Sequence, residues 1–263
     1  MYPQITLGGF RVGTYLVMYA LALVVLGVVV WRRDHRACRL AGEPAGSVHR
    51  TIDALFYVLL GTILGGWVAG VLPPLAGWAL GTPLSPAWWA VPLYWPGQLG
   101  GGSLAGVLYC RRRAIPAGRA FDIAAPAVPL AQAIGRVGCL MAGCCYGKVT
   151  EGPLALFLPD IHGVWAMRYP TRIADILANL TIVGIVLAAE AYGARRHGRP
   201  IGWPFPGFLF LLYVALYCLQ RFVVEFGRAD MPSLVGPLTW IHLYCAAGFA
   251  LATWLVVRNL RPA

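Results

Sequence analysis

The feature that most constrains the fold is a series of apolar runs, each about long enough to cross a lipid bilayer. A helix rises about 1.5 Å per residue, so a hydrocarbon core of roughly 30 Å needs about 20 apolar residues. The runs are 15–31, 52–72, 93–110, 121–135, 173–192, 205–226 and 238–257. The sequence therefore predicts an all-α integral membrane protein with about seven transmembrane helices.

Composition supports this prediction. Of the 263 residues, 59% are hydrophobic and only 12% are charged, which is more apolar surface than one soluble core can bury. No internal repeat and no linker long enough to separate two domains is evident. We expect a single transmembrane domain over residues 1–263.

The basic residues orient the helices. Alternate loops, at 32–50, 111–119, 195–199 and 258–261, hold 14 of the 21 Lys and Arg residues, as expected of cytoplasmic loops. Arginines follow the first apolar run and do not precede it, which favours a retained helix over a cleaved signal peptide. We expect the amino terminus outside and the carboxyl terminus in the cytoplasm. Because the net charge of +11 is confined to such short runs, it does not indicate nucleic acid binding.

Two predicted spans have an irregular composition. Residues 93–106 contain a proline and a glycine cluster, and residues 121–135 contain Asp122 and two prolines. Irregular backbone at membrane depth indicates either a watered cavity or close packing through small residues, as Gly66 and Gly70 suggest at GxxxG spacing. Both interpretations remain open. The uncharged segment 73–98, which carries four tryptophans, is predicted to be an external loop or a shallow arm on the membrane.

A polar stripe lies in the sixth predicted span. Its members, Tyr217, Arg221, Glu225 and Arg228, follow at spacings of four, four and three and so share one helix face. Ionisable groups in a membrane are costly, which makes them functional candidates. A structural Arg221–Glu225 pair is the alternative, but two arginines against one glutamate leave a positive excess that an anion would balance.

A second cluster occupies residues 131–150. Arg136 lies near the end of the fourth span, and Gly138, Gly143 and Gly147 follow it and allow tight turns. A planar guanidinium fork suits a phosphate. The sequence predicts a phospholipid headgroup site at the outer leaflet, built from Arg136 and the arginines of the stripe.

Three cysteines, Cys139, Cys144 and Cys145, fall inside this cluster. Buried packing or a disulfide, a reactive thiol activated by nearby cations, and a metal site are all open. A metal would need further ligands, and His162 is the one histidine in the same segment. We assign no metal ligand and no cofactor.

Two motifs resemble the prolipoprotein diacylglyceryl transferase family. Residues 135–147 read GRVGCLMAGCCYG, where the family signature is GRxGNFxNGExxG; Cys139, Ala142 and Cys144 replace its asparagines and glutamate. Residues 221–230 read RFVVEFGRAD and resemble the family element RFxxEFxRxPD. Weaker similarity at Tyr15, at 122–132 and at 169–172 extends over nearly the whole chain.

The resemblance implies a multi-pass transferase of the bacterial cytoplasmic (inner) membrane that acts in lipoprotein biosynthesis. It would move diacylglyceryl from phosphatidylglycerol, or a similar anionic phospholipid, to the lipobox cysteine of a prolipoprotein. Arg136 and Arg221 would hold the phosphate and Glu225 would orient them, while Tyr15 and Tyr217 would line the headgroup pocket. The remaining expected pocket residues are Arg228, Gly143, Gly147 and Cys139 for binding and Cys144 and Cys145 for catalysis.

One family element is missing. The family histidine, thought to accept the thiol proton, corresponds to the segment Gly100 to Ser103, which has no histidine. Glu225, His242 or a thiolate at Cys144 or Cys145 could serve as the base. Alternatively the chain is a sister enzyme with a cysteine nucleophile and a different acceptor, or a non-catalytic phospholipid-binding membrane protein. The retained charged stripe favours a ligand-directed role.

Overall fold

The structure is a computed structural model that describes residues 4–7, 10–40, 48–83, 95–199 and 201–261. Eight helices and two short hairpins make up this part of the chain. The helices are α1 (Thr14–Leu40), α2 (Val48–Ala79), α3 (Trp95–Arg112), α4 (Ala117–Ala124), α5 (Ala127–Ala142), α6 (Thr171–His197), α7 (Phe208–Glu225) and α8 (Trp240–Leu260). The strands are β1 (Gln4–Leu7) with β2 (Phe10–Gly13), and β3 (Leu156–Pro159) with β4 (Trp165–Arg168), each pair antiparallel.

The predicted membrane spans are confirmed as helices. Six helical stretches in the described residues have the length and apolarity needed to cross a bilayer, with α4 and α5 together forming one of them. The third predicted span is the helix α3, but it is not among the six. Its glycines and polar residues lower its hydropathy. The chain is thus a multi-pass, mainly helical membrane protein; the orientation of its termini stays a prediction.

The predicted loop or shallow arm at 73–98 is helical at both of its ends, so the loop interpretation is wrong there. Helix α2 continues to Ala79 and contains Pro73 and Pro74. Trp78 lies near the end of α2, and Trp95 begins α3. Trp88 and Trp89 lie outside the described residues, so the expected membrane-surface arm is not tested.

The fourth predicted span is broken, as its prolines indicated. The break between α4 and α5 falls at residues 125–126. Asp122 of α4 is fully buried, and its carboxylate accepts hydrogen bonds from the backbone N–H groups of Gly207 and Phe210, at 2.8 and 3.2 Å. These amides lie at the start of α7, where a helix has unpaired donors and a positive dipole end. The buried carboxylate therefore fixes the amino end of α7.

Glycines bring α2 and α3 into backbone contact. A Cβ on Gly65 would lie 2.7 Å from the Gly101 Cα and would also meet the Gly97 carbonyl oxygen, and a Cβ on Gly61 would lie 2.6 Å from the Gly101 carbonyl oxygen. The glycine cluster of the third span thus serves close packing. Gly61 and Gly65 make this approach; Gly66 and Gly70, at which the sequence also suggested close packing, are both buried, and their packing stays a prediction.

By residue contacts the chain forms two compact units. One comprises residues 34–120, and the other comprises residues 1–33 and 121–263. In the second unit α5 packs against α6, α6 against α7, and α7 against α8. Within this unit, Arg33 contacts α4 and α6, because it donates to the Ile123 carbonyl and forms a 2.8 Å ion pair with Glu190. That the whole chain is one domain stays a prediction.

The glycine contact between α2 and α3 predicts opposite effects for two matched substitutions. Gly65→Ala places a methyl group against backbone and should lower the free energy of unfolding by about 1–3 kcal/mol. Gly100→Ala, on the same helix pair but with no atom within 4 Å of its Cβ, should be neutral or stabilising by up to about 1 kcal/mol. The measurement is thermal unfolding of both variants in the same detergent. Equal midpoints for the two variants would contradict the packing described.

Candidate active site

The polar stripe of α7 faces the protein interior. Tyr217, Arg221, Glu225 and Arg228 are all at most 5% exposed. Arg221 Nη2 lies 2.6 Å from Glu225 Oε2, and Arg228 Nε lies 3.8 Å from the same oxygen. The expected helix face therefore holds for Tyr217, Arg221 and Glu225, whereas Arg228 lies after the end of α7 and reaches Glu225 from the following loop.

A carboxylate of α6 joins this row to the arginine of α5. Asp175, which is 1% exposed, has Oδ2 at 3.1 Å from Arg136 Nε and at 3.9 Å from Arg221 Nη1. Gln220 donates a hydrogen bond to its other oxygen. Arg136 and Arg221, predicted to share a pocket, thus share a counter-ion.

Sequence reasoning missed Asp175, although a signal existed. It is one of two carboxylates on α6, the other being Glu190, and an ionisable residue within a membrane span is a functional candidate by default. The partner arginines lie 39 and 46 residues away in sequence. No local pattern links them.

A residue at the start of α8 also contacts Glu225. Thr239 Oγ1 donates to Glu225 Oε1 at 3.0 Å, and the Thr239 backbone N–H donates to His242 Nδ1 at 2.9 Å. The His242 ring packs against Phe222 and Phe226, and its Nε2 is buried with no partner among the described residues. A Glu225, Thr239 and His242 chain therefore lies behind the arginines. Sequence reasoning named His242 but not Thr239.

The signature loop after α5 pairs with the loop after α7. Gly143, at φ +82°, ends α5 in the left-handed conformation. Lys148 N–H then donates to the Gly227 carbonyl at 2.8 Å, and Ala229 N–H donates to the Tyr146 carbonyl at 3.1 Å. This pairing places Arg228 opposite Gly147. The two motifs identified in the sequence are thus parts of one backbone assembly.

The β3–β4 hairpin and the start of α6 support that assembly. A Cβ on Gly147 would collide with the Tyr169 carbonyl, and a Cβ on Gly143 would lie 2.5 Å from the Asp160 carbonyl oxygen. Arg168 of β4 donates to the Gly147 carbonyl and pairs with Asp160 at 2.9 Å. Gly143 and Gly147, predicted to allow close approach of a ligand, are therefore required here for close approach of protein backbone.

The three cysteines converge. The Sγ atoms of Cys139, Cys144 and Cys145 lie within 4.8 Å of one another, and all three thiols are free. Arg136 Nη1 donates to Cys145 Sγ at 3.4 Å. The neighbouring thiols lower the pKa of Cys145 and raise that of Cys144, and the guanidinium groups of Arg228 and Arg136 also lower the pKa of Cys145. The thiols thus border the arginine row.

Tyr15 lies beside this cluster. A Cβ on Gly138 of α5 would meet Met18 Cβ at 2.9 Å and the Tyr15 Cα at 3.4 Å, so α1 crosses α5 at this glycine. The Tyr15 side chain is 46% exposed, whereas Tyr217 is buried and faces Arg136 and Arg221. Of the two tyrosines expected to line the pocket, one is buried among the charges and the other lies at their edge.

The structure brings more charged groups into this region than the two arginines and one glutamate that were counted from the sequence. Five guanidinium groups meet four carboxylates in this region. They are Arg136, Arg168, Arg172, Arg221 and Arg228 against Asp160, Asp175, Glu225 and Asp230. Arg172 is 1% exposed and donates to the Pro159 and Leu140 carbonyls. With all nine groups ionised, one positive charge remains among them, and the exposed Lys148 of the same loop assembly adds another.

Arg221 has two nitrogen atoms that are not hydrogen-bonded within the described part of the chain. Its Nε and Nη1 are buried and make no hydrogen bond to any described residue. Unsatisfied buried donors on a cation are costly, and a bound acceptor would remove that cost. The arrangement suits an oxyanion between the Arg221 and Arg136 side chains.

Comparison with known proteins agrees with the motifs. The family of prolipoprotein diacylglyceryl transferases matches residues 4–258. A phosphatidylglycerol–prolipoprotein diacylglyceryl transferase of Geobacter sulfurreducens is 30% identical over 97% of this chain and 96% of its own length. Proteins of the same name from Gloeobacter violaceus and Polynucleobacter asymbioticus are each 30% identical, over 98% and 96% of this chain and 93% and 89% of their own lengths. The chain therefore belongs to the prolipoprotein diacylglyceryl transferase family.

Proposed function

We propose that this protein transfers the diacylglyceryl group of phosphatidylglycerol to the lipobox cysteine of a prolipoprotein, at the bacterial cytoplasmic membrane. The observation that carries the proposal is the buried row of arginines, with free donors on Arg221 and one unbalanced positive charge. Full-length similarity to relatives that carry this activity in their names supports it.

The lipid phosphate would bind between Arg136 and Arg221. Arg221 Nε and Nη1 offer two donors to phosphate oxygens, and Arg136 supplies a second guanidinium from the neighbouring helix. Charge-assisted hydrogen bonds of this kind are about twice as strong as neutral ones. A lipid enters such a site from the membrane, which suits a row of charges built on transmembrane helices.

The reaction replaces a carbon–oxygen bond with a carbon–sulfur bond. The acceptor sulfur attacks the glyceryl carbon that carries the phosphate, and the phosphate oxygen leaves with the bonding electrons as glycerol phosphate. The thiol proton passes to water or to the released phosphate. Negative charge grows on the phosphate as it departs, and the fixed arginines stabilise that charge without reorganising.

The carboxylates would keep the arginines in position. Asp175 holds Arg136 and Arg221 from one side, and Glu225 holds Arg221 from the other while Thr239 fixes Glu225. Arg228 is paired bidentately with Asp230, at 2.8 and 2.6 Å, so it would bind the lipid phosphate less readily than Arg221 and would act on Cys145 through its charge. Side chains fixed in this way are preorganised for the developing charge.

A second candidate is the sister transferase with a cysteine nucleophile. The Arg136 contact to Cys145 favours it, because a nearby cation makes a thiolate more available. This candidate predicts a diacylglyceryl adduct on Cys145 itself after incubation with lipid alone. A protein mass unchanged by phosphatidylglycerol would rule it out and leave direct transfer.

The proposed phosphate site predicts loss of transfer on removal of either arginine. Arg136→Ala or Arg221→Ala should lower the rate of thioether formation on a lipobox peptide by about 100-fold or more, since each removes a donor to the departing phosphate. The assay is mass spectrometry of the peptide after incubation with phosphatidylglycerol. Arg258→Ala, at an exposed position of α8, is the control and should retain the wild-type rate. Full activity in both pocket variants would refute the site.

A second prediction concerns Asp175. Asp175→Asn leaves buried arginines without their shared counter-ion and should destabilise the protein by roughly 3–5 kcal/mol in detergent without anionic lipid. Phosphatidylglycerol should then raise the midpoint of thermal unfolding more for this variant than for wild type, because the lipid phosphate supplies the missing negative charge. Asp53→Asn, in a half-exposed pair with Arg113, should show the wild-type lipid effect. An equal shift in all three proteins would argue against a phosphate between the arginines.

A further inference from the structure

We propose that Cys139, Cys144 and Cys145 together bind one Zn²⁺ ion and leave its fourth position open to the acceptor thiol. The metal-binding part stands on the cysteine geometry alone. The acceptor part rests on the proposed transferase function. Neither part uses the family histidine, whose place at residues 100–103 is taken by glycines and Ser103.

The three sulfurs are close to the arrangement that zinc requires. Their Sγ atoms lie within 4.8 Å of one another. A tetrahedral site with Zn–S bonds of about 2.3 Å places its sulfurs roughly 3.8 Å apart, so a contraction of about 1 Å by rotation about χ1 would complete it. Three protein ligands with a free fourth position are the pattern of catalytic zinc sites, whereas structural sites have four.

The backbone holds these ligands in position. Gly143 turns the chain back at the end of α5, and Cys145 itself has φ +58°, a conformation that non-glycine residues rarely adopt. Thr171 Oγ1 donates to the Cys145 carbonyl at 2.9 Å, and Arg172 donates to the Leu140 carbonyl at 3.5 Å. A strained residue persists where surrounding contacts fix it, and such residues concentrate at functional sites. The strain here directs a third thiol toward the other two.

The surrounding cations suit a thiolate ligand at Cys145. A Zn²⁺ ion with three thiolates carries a net charge of −1, and a fourth thiolate makes it −2. Arg136 Nη1 already contacts Cys145 Sγ at 3.4 Å, and Arg228 also acts on this thiol electrostatically. Cations beside metal thiolates supply the outer-shell hydrogen bonds that such ligands need.

A zinc ion at this site would activate the acceptor thiol in place of the family histidine that this chain lacks. A thiol that coordinates zinc is deprotonated outright, so the acceptor would lose its proton to water on binding and remain a thiolate at neutral pH. That sulfur then attacks the glyceryl carbon, the carbon–oxygen bond to phosphate breaks, and glycerol phosphate leaves with the electron pair. The resulting thioether is a weaker ligand and dissociates, which leaves the zinc with its three cysteines.

The test is the metal content of the full-length protein. Purified in detergent under reducing conditions and reconstituted with Zn²⁺, the wild type should retain about one zinc per chain after removal of unbound metal. The triple variant Cys139→Ser, Cys144→Ser, Cys145→Ser should lose at least nine-tenths of it. A matched double variant, Cys38→Ser with Cys110→Ser, also changes buried free cysteines and should keep its zinc. Elemental mass spectrometry measures all three.

A second measurement does not depend on folding of the variants. Zn²⁺ should protect Cys139, Cys144 and Cys145 of the wild type from alkylation, and a strong chelator should expose them, as read by peptide mass spectrometry. Failure to retain zinc, equal zinc in the triple variant, or a disulfide among these cysteines in the reduced preparation would overturn the proposal. Transfer by a zinc-free wild type would refute the metal while leaving the proposed function intact. Bound zinc without transfer to the lipobox peptide would refute the acceptor part.

Discussion

The cost of burying charge in a membrane protein governs the arrangement of this structure. Arg221 and Glu225 on α7 are almost fully buried, and neither would be stable there alone. Their partners come from separate elements: Asp175 from α6, Arg136 from α5 through that aspartate, and Thr239 from the start of α8. The positions of four helices are thus coupled through one set of ion pairs. The set retains one excess positive charge and unused donors, which is the reason for assigning it to an anionic ligand.

Local sequence predicted the parts of this site that lie on one element. The spacing of Tyr217, Arg221 and Glu225 is helical and all three lie on α7, and hydropathy located the six apolar spans of the described residues. The break in the fourth span followed from its prolines. Asp175 and Thr239 were missed because their significance lies in contacts between helices distant in sequence. The β3–β4 hairpin was missed for a similar reason: its short strands take their structural role from the signature loop that they pack against.

A glycine-rich sequence can indicate either a cavity or close packing, and the structure is needed to distinguish the two. The sequence left cavity and close packing open for the glycine-rich third span, and contacts at Gly61, Gly65 and Gly101 establish close packing there. Gly143 and Gly147 belong to the same class, because each accommodates a neighbouring carbonyl. For the cysteines, the structure strengthens a functional interpretation over simple packing. Sequence reasoning gave the metal interpretation little weight for want of ligands, yet the turn at Gly143 brings three sulfurs together, and an open position is what an activated acceptor thiol would use.

A lipid phosphate held by the buried arginines would be directly visible in a structure with bound lipid. The measurement is a cryo-EM structure of the protein in nanodiscs that contain phosphatidylglycerol. We expect phosphate density within about 4 Å of the guanidinium groups of both Arg136 and Arg221, with Asp175 still between them. A well-resolved pocket in which the arginines contact only carboxylates, with the lipid headgroup elsewhere, would contradict it.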